Sequence, residues 1–406
     1  MALYTDLNFE LTPEQVSIKE ETHRFAREVL RPASIALDAM EPDKVIESDI
    51  FWNTMKKGYD LGYHTIFIPD TYGGIATDPI ESHIVLEEMS WGSVDFAIGL
   101  GVSCFPAFFA SMVPTDQLIE EIIEPFCDCK DASIIGCWGI TEPDHGTDTL
   151  CPFTPAFSDP KISGQVTARL DGDHYIVEGQ KAAWVSNGSI ATHSLVYLTI
   201  DPSQGMAGGG ICIVPLDLPG VRKGKPLDKM GQRALNQGEI YFDGVRVPKE
   251  YMLVDEESYT AMLDVTLSTA NAAMGAMFVG VARAAYEEAL AYSKQRIQGG
   301  KPIFQHQLIK HKLFKMFMNI EAGRALSRAA MIYNYNNTPP KIEYSIAAKV
   351  FCTNMALEVT SEAIQIFGGN GLSREYPVEK FFRDARAGMI EDGANDSLMI
   401  TGAHHL

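Results

Sequence analysis

The stretch QIFGGNGLSREYPVEKFFRD, residues 365–384, decides how this 406-residue chain is read. It places glycines at 368, 369 and 371 directly after an apolar-periodic run, 342–367, that reads as a long helix. Three glycines at that point permit a tight turn and close approach of backbone to a ligand, and their N–H groups suit a phosphate. Taken alone, the same residues also make an ordinary glycine-rich helix C-cap. An acid at 375, a base at 380 and an acid at 384 complete the pattern.

Working outward, two more long helical runs, 258–296 and 305–334, precede this one. Helices of that length suggest a bundle that also packs against sister subunits. Upstream the texture changes. TARLDGDHYIVEGQKAAWVS, SLVYLTI, GICIVPL and GEIYFDGVRVP carry alternating β-formers, and Asp171-Gly172-Asp173 reads as a hairpin turn. Before about residue 131 the chain is helical again. Thr12, Pro13 and Gln15 form a capping box at its first helix, and further helices are expected around 51–61, 80–89 and 117–126, with breaks at Pro69, Gly73-Gly74 and Pro114. The order is helical, β, helical, an α+β chain with expected divisions at 1–130, 131–248 and 249–406.

Composition narrows the function. With 33 Lys+Arg against 53 Asp+Glu the net charge is −20, which repels phosphate backbones and argues against a nucleic-acid partner. Hydrophobic residues make up 46%, enough for real cores, yet no apolar run is read as a membrane span. The seven cysteines are scattered without metal-binding spacing, so buried free thiols, no metal and a reducing cytoplasm are expected. The acidic start MALYTDLNFELTPEQ lacks the marks of a secretory or transit peptide.

The spacing of Gln365, Gly368, Gly369, Gly371, Leu372, Glu375, Lys380 and Asp384 resembles a fingerprint of the flavin-dependent acyl-CoA dehydrogenases. Ile140-Thr141-Glu142-Pro143 with Gly146-Thr147-Asp148 resembles the family's other fingerprint, and Trp184-Val185-Ser186-Asn187-Gly188 the segment over the flavin ring. Lys229-Met230-Gly231, Val245-Arg246-Val247-Pro248 and the Arg296–Gln307 stretch fall in matching order. The resemblance implies a middle β-barrel domain between an N-terminal helical domain and a C-terminal four-helix bundle, and a homotetramer. It implies FAD held by Ile140, Thr141, Gly146, Thr147, Trp184, Ser186, Arg296, Gln307, Gln365, Gly368 and Gly369, an acyl-CoA substrate, and an electron-transferring flavoprotein as acceptor. Two positions depart from the pattern: His145 stands where a small residue is usual, and Gly299 where the family carries Phe.

The reaction needs a carboxylate to remove a proton beside the thioester while hydride passes to flavin. Aligned on Gly393, Asp392 occupies the place of the family's glutamate, and Glu391 a place where an aromatic is frequent. Aspartate is one methylene shorter, about 1.5 Å of reach. Other branches carry the base near Val265 and Thr266, where Asp264 is only adjacent. A third candidate is Asp95, set in the apolar run Val94, Phe96, Ala97, Ile98, where an unpaired acid is costly. Asp95 as a base with a raised pKa, together with Phe105, Phe108, Phe109 and Met112 as a bulky pocket, points to an alicyclic cyclohexane- or cyclohexene-carboxyl acyl-CoA and a 1,4-elimination. The alternatives are an ordinary aliphatic 1,2-dehydrogenase, or a flavin oxidase resembling nitroalkane oxidases, with Asp392 as base.

Overall fold

The structure, a computed structural model, describes residues 11–75 and 78–406. The reading of the N-terminal leader falls largely on residues 1–10, outside that range. The first helix, Pro13–Phe25, begins as expected. The Gln15 N–H donates to Thr12 Oγ1 at 3.2 Å, and the Thr12 N–H donates to Gln15 Oε1 at 3.1 Å. Helices continue through Asp49–Asp60, Pro79–Gly92, Val94–Ser103 and Phe105–Met112.

The middle of the chain forms a sheet from β1 (Gly136–Gly139), β2 (Thr167–Asp171), β3 (His174–Lys181), β4 (His193–Thr199), β5 (Gly209–Pro215), β6 (Val221–Lys223), β7 (Ile240–Pro248) and β8 (Met252–Val254). The order is β6-β7-β3-β2-β4-β5-β8, with β1 paired to β4 in parallel. Asp171 pairs with His174 across the expected hairpin. Among the described residues no ladder joins the end strands β6 and β8, so the hydrogen-bonded path is open.

Three long helices follow: Tyr259–Gln295, Gln307–Asn336 and Ile342–Phe367. They pack on one another, and the first also packs on Pro79–Gly92. That last contact is close: a Cβ at Gly280 would lie 2.2 Å from the Glu87 carbonyl oxygen. Beside it, Arg283 and Arg324 donate to the buried Glu87 at 2.8 and 2.9 Å. Arg283 also pairs with Glu88, which accepts a 2.9 Å contact from His23. Buried charges on this helix face are thus paired. The shorter helices Val378–Ala387 and Asn395–His404 complete the chain.

Tyr259–Gln295 has the length and mean hydropathy, 1.4, of a membrane span, but 89% of its apolar window is buried inside the fold. Core burial between two helical layers selects the same residues as lipid does. The seven cysteines are free thiols, all buried except the half-buried Cys151. Among the described residues no group of three or more His, Cys, Asp or Glu side chains is placed to hold a metal ion.

Candidate functional site

A cavity of about 380 Å³ opens where the three parts of the chain meet. Ile98 and Val102 reach it from Val94–Ser103, and Trp138, Ile140 and Thr141 from β1 and the residues after it. Met274 comes from the first long helix, and Glu391, Asp392 and Gly393 from the turn after Val378–Ala387.

The 140–149 loop is seated by a buried ion pair. Lys181 Nζ on β3 donates to Glu142 Oε1 at 2.6 Å and to the Ile140 carbonyl at 3.1 Å, while Glu142 also accepts the N–H groups of Gln165 and Val166. His145 is fixed rather than loose: Nδ1 lies 2.7 Å from Asp148 Oδ2, and Nε2 lies 3.2 Å from the Ser163 carbonyl. The bulky ring at that departure from the family pattern therefore braces the loop from outside and does not line the cavity. At the loop's far end Thr147 Oγ1 accepts the Ala394 N–H at 3.1 Å, joining the loop to the Asp392 turn.

The 184–188 segment is anchored by Asn187. Asn187 sits at φ +63° and donates Nδ2 to the carbonyls of Gly99 and Gly136 and to Ser103 Oγ, at 2.9–3.1 Å. Asparagine tolerates that left-handed backbone better than most residues. The anchor leaves Trp184 58% exposed on the cavity wall, with Met230 57% exposed nearby. Thr141 makes no side-chain hydrogen bond among the described residues. Open apolar surface flanked by hydroxyl donors fits a flat heteroaromatic ring with polar edges, and so fits an isoalloxazine.

The acid turn is held from below. Lys349 Nζ, buried in Ile342–Phe367, donates to the Gly393 carbonyl at 2.6 Å and to Asn395 Oδ1 at 2.8 Å. Asp392 is at φ +52° and Gly393 at φ +102°. A Cβ at Gly393 would also lie 2.8 Å from Leu398, so glycine is required there. Burial raises the Asp392 carboxyl to about 6, with the Lys349 ammonium pulling the other way. Burial likewise raises Glu391 to about 7, opposed by a hydrogen bond from Gln232 Nε2 at 2.9 Å. Among the described residues no hydrogen bond reaches the Asp392 carboxyl.

Asp95 is corrected. It is fully buried and accepts from Ser34 Oγ at 3.2 Å, Ser93 Oγ at 3.1 Å, the Ala234 N–H at 3.0 Å and Lys380 Nζ at 3.2 Å. Burial alone pushes its pKa up, but Lys380 and the backbone donors outweigh that and hold it below the usual carboxylate value. It does not line the cavity. Phe105, Phe108 and Phe109 are corrected too: they pack on one another in tilted and edge-to-face contacts behind the wall, with Phe105 5.4 Å from the Trp138 ring. At the alternative base position, Thr266 Oγ1 meets the Tyr197 hydroxyl at 2.7 Å, and Asp264 is absent from the cavity wall.

Of the remaining candidates, Ile140, Thr141, Gly146, Thr147, Trp184 and Ser186 share this cavity. Arg296, Gln307, Gln365, Gly368 and Gly369 do not; they are exposed on a separate face. There the Tyr292 ring stacks on Phe367 at 4.0 Å and the Tyr292 hydroxyl accepts from Asn370 Nδ2 at 2.9 Å, bringing the end of one long helix onto the glycine turn. Gly368 takes φ +63°, with open space where its Cβ would be. Gly299 lies at φ +58° in the turn between Ile297–Gln298 and Lys301–Pro302, a backbone that Phe would strain. Sequence reasoning missed Gln232, Gln237 and Lys349. A lysine inside the apolar run IAAKVFC was a usable signal for Lys349; none marked the two glutamines.

Comparison with known proteins gives a consistent result. Family models for the N-terminal, middle and C-terminal domains of acyl-CoA dehydrogenases match residues 12–127, 137–245 and 261–406. The chain is 32% identical to a short-chain-specific acyl-CoA dehydrogenase of Megasphaera elsdenii, covering 98% of this chain and 99% of the relative. It is 31% identical to a cyclohexane-1-carbonyl-CoA dehydrogenase of Geobacter metallireducens, covering 95% of each. Among solved structures it resembles the butyryl-CoA dehydrogenase of Megasphaera elsdenii, with TM-score 0.86, 31% identity and coverage of 98% and 99%. A structure described for electron transferring flavoprotein of Acidaminococcus fermentans matches at TM-score 0.85 and 30% identity, covering 98% and 99%.

Proposed function

The chain belongs to the acyl-CoA dehydrogenase family, an FAD-dependent oxidoreductase family, and on that premise we propose that it performs α,β-dehydrogenation of a compact acyl-CoA with Asp392 as the base. One observation carries the reading: Asp392 lines the cavity with no hydrogen-bond donor on its carboxyl, whereas Asp95 is saturated by four donors behind the wall. A base must be able to receive a proton, and a carboxylate already filled by Lys380 and Ala234 cannot do so cheaply.

The chain's residues divide the work. Lys349 and Asn395 hold the turn, and burial sets the Asp392 carboxyl close to neutrality, where an ionised fraction coexists with real basicity. Asp392 then takes the proton from the carbon beside the thioester. Ile98, Val102, Trp138 and Met274 exclude water from the acyl group. Thr141, Trp184 and Ser186 would hold FAD, which when bound supplies the hydride acceptor. Arg296, Gln307 and Gly368-Gly369 form a separate exposed face suited to the cofactor of a neighbouring copy in a homotetramer, and the electrons leave to an electron-transferring flavoprotein.

For the acyl group we assign a compact one, with an alicyclic ring of the cyclohexane-carboxyl type ahead of a straight short chain. The Geobacter relative's substrate name supports a ring of this type, and the Megasphaera relatives' short-chain names support the straight chain that the test sets against it. The test is anaerobic bleaching of the flavin by cyclohexane-carbonyl-CoA and butyryl-CoA, in the wild type and in Asp392→Asn. Faster bleaching by the alicyclic thioester, abolished in the variant, is expected. Full bleaching in Asp392→Asn would overturn the base assignment, and faster bleaching by butyryl-CoA would overturn the ranking.

A further inference from the structure

Behind Ser186, Gln237, which lies outside the motif stretches that resemble the family's, links that serine to Lys229. Lys229 Nζ donates to Gln237 Oε1 at 2.8 Å and to the Leu235 carbonyl at 2.7 Å. Gln237 Nε2 in turn donates to Ser186 Oγ at 3.2 Å and to the Trp184 carbonyl at 3.3 Å. The backbones of Ser186 and Gln237 also meet in an isolated antiparallel bridge. Gln237 is 6% exposed, so its amide has little freedom to turn toward solvent.

The direction of each bond follows from donor chemistry. An ammonium only donates, so the group facing Lys229 must be the amide oxygen of Gln237. The amide nitrogen then faces Ser186 and can only donate, so the Ser186 oxygen is an acceptor in that contact. The Ser186 proton is left for another partner, and Ser186 lines the cavity. We infer that Lys229 and Gln237 are positioning residues that fix the Ser186 hydroxyl as a donor into the cavity, toward the polar edge of the flavin ring. The inference rests on FAD seating at the Thr141–Trp184–Ser186 wall. A hydroxyl fixed in advance as donor costs no reorientation when charge arrives at the ring.

The isosteric substitution Gln237→Glu breaks the logic without changing shape. A carboxylate accepts, so Ser186 would turn to donate to it and would be withdrawn from the ring. The measurement is FAD affinity, visible absorption spectrum and midpoint potential of the substrate-free holoprotein, for Gln237→Glu, Ser186→Ala and the double variant. The expected result is a fall in FAD affinity of about 2- to 10-fold in each single variant, the size of one lost hydrogen bond. The spectral change should be the same in both single variants. The double variant should add nothing beyond the effect of the new charge on potential. Lys229→Met, which frees the amide to turn over, should move the same observables in the same direction in the Ser186 background and not in the Ser186→Ala background. If Ser186→Ala shifts the flavin while Gln237→Glu and Lys229→Met act equally with and without Ser186, the positioning role is wrong and the flavin seat stands. If Ser186→Ala leaves spectrum, affinity and potential unchanged, the seat itself is wrong.

Discussion

Asp95 and Asp392 are the same side chain in two kinds of burial. Asp95 lies at the start of Val94–Ser103 and is filled by two serine hydroxyls, a backbone N–H and Lys380. Asp392 lies on a left-handed turn with a lysine nearby that donates to the backbone beside it rather than to the carboxyl. The first arrangement holds the pKa down and the second lets burial push it up to about 6. Buried aspartate is therefore no sign of a base; what matters is whether its donors have been spent.

The sharpest way to break this comparison is to neutralise each acid in turn. Asp392→Asn should lower the rate of flavin reduction by about 10²- to 10⁴-fold, the usual size of a general-base effect, with FAD content unchanged. Stopped-flow bleaching reads it, and a loss below tenfold would return the base to another group. Asp95→Asn should act on stability instead, because Lys380 loses one of its two carboxylate partners in a buried site. A loss of about 3 kcal/mol is expected from breaking such a pair, read by denaturant unfolding of the holoprotein. An unchanged midpoint would mean the pair is not formed.

A smaller effect sharpens the electrostatics. Asp392 must be ionised to accept a proton, so the rate should fall as pH drops through about 6. Lys349→Met removes the cation that favours the ionised form and should move that limb upward by on the order of one pH unit. A limb that stays in place would show that the ammonium acts only through the backbone turn.

The smallest effect is on stability. The folded carboxyl of Asp392 holds its proton more tightly than the unfolded one, so its contribution favours the fold in acid and is lost as pH rises through about 6. Asp392→Asn should therefore melt slightly higher than the wild type at pH 8 and equally at the acid end. A lower melting point at pH 8 would contradict the raised pKa.

Much of the fold was legible because its signals are local. The Thr12–Gln15 box, the Asp171-Gly172-Asp173 turn and the long run ending at Phe367 all depend on residues within a few positions. The cavity wall at Thr141, Trp184, Ser186 and Asp392 followed from family spacing. Asp95 was misread because its partners are remote: Ala234 stands 139 residues away and Lys380 stands 285. An acid in an apolar run announces a cost, but only the tertiary structure says who meets it. Gln237 was invisible for a related reason, since the direction of a hydrogen bond is not written in composition.

The Asp95 cluster has a consequence for how the molecule assembles. Its members come from the first helical part, from the loop before β7, and from the last helical part. No fragment made of two of these parts contains a complete set, and a product that ends before Lys380 leaves Asp95 without its cation in an apolar setting. A chain truncated before Lys380 should therefore fold incompletely and be degraded faster than the full chain.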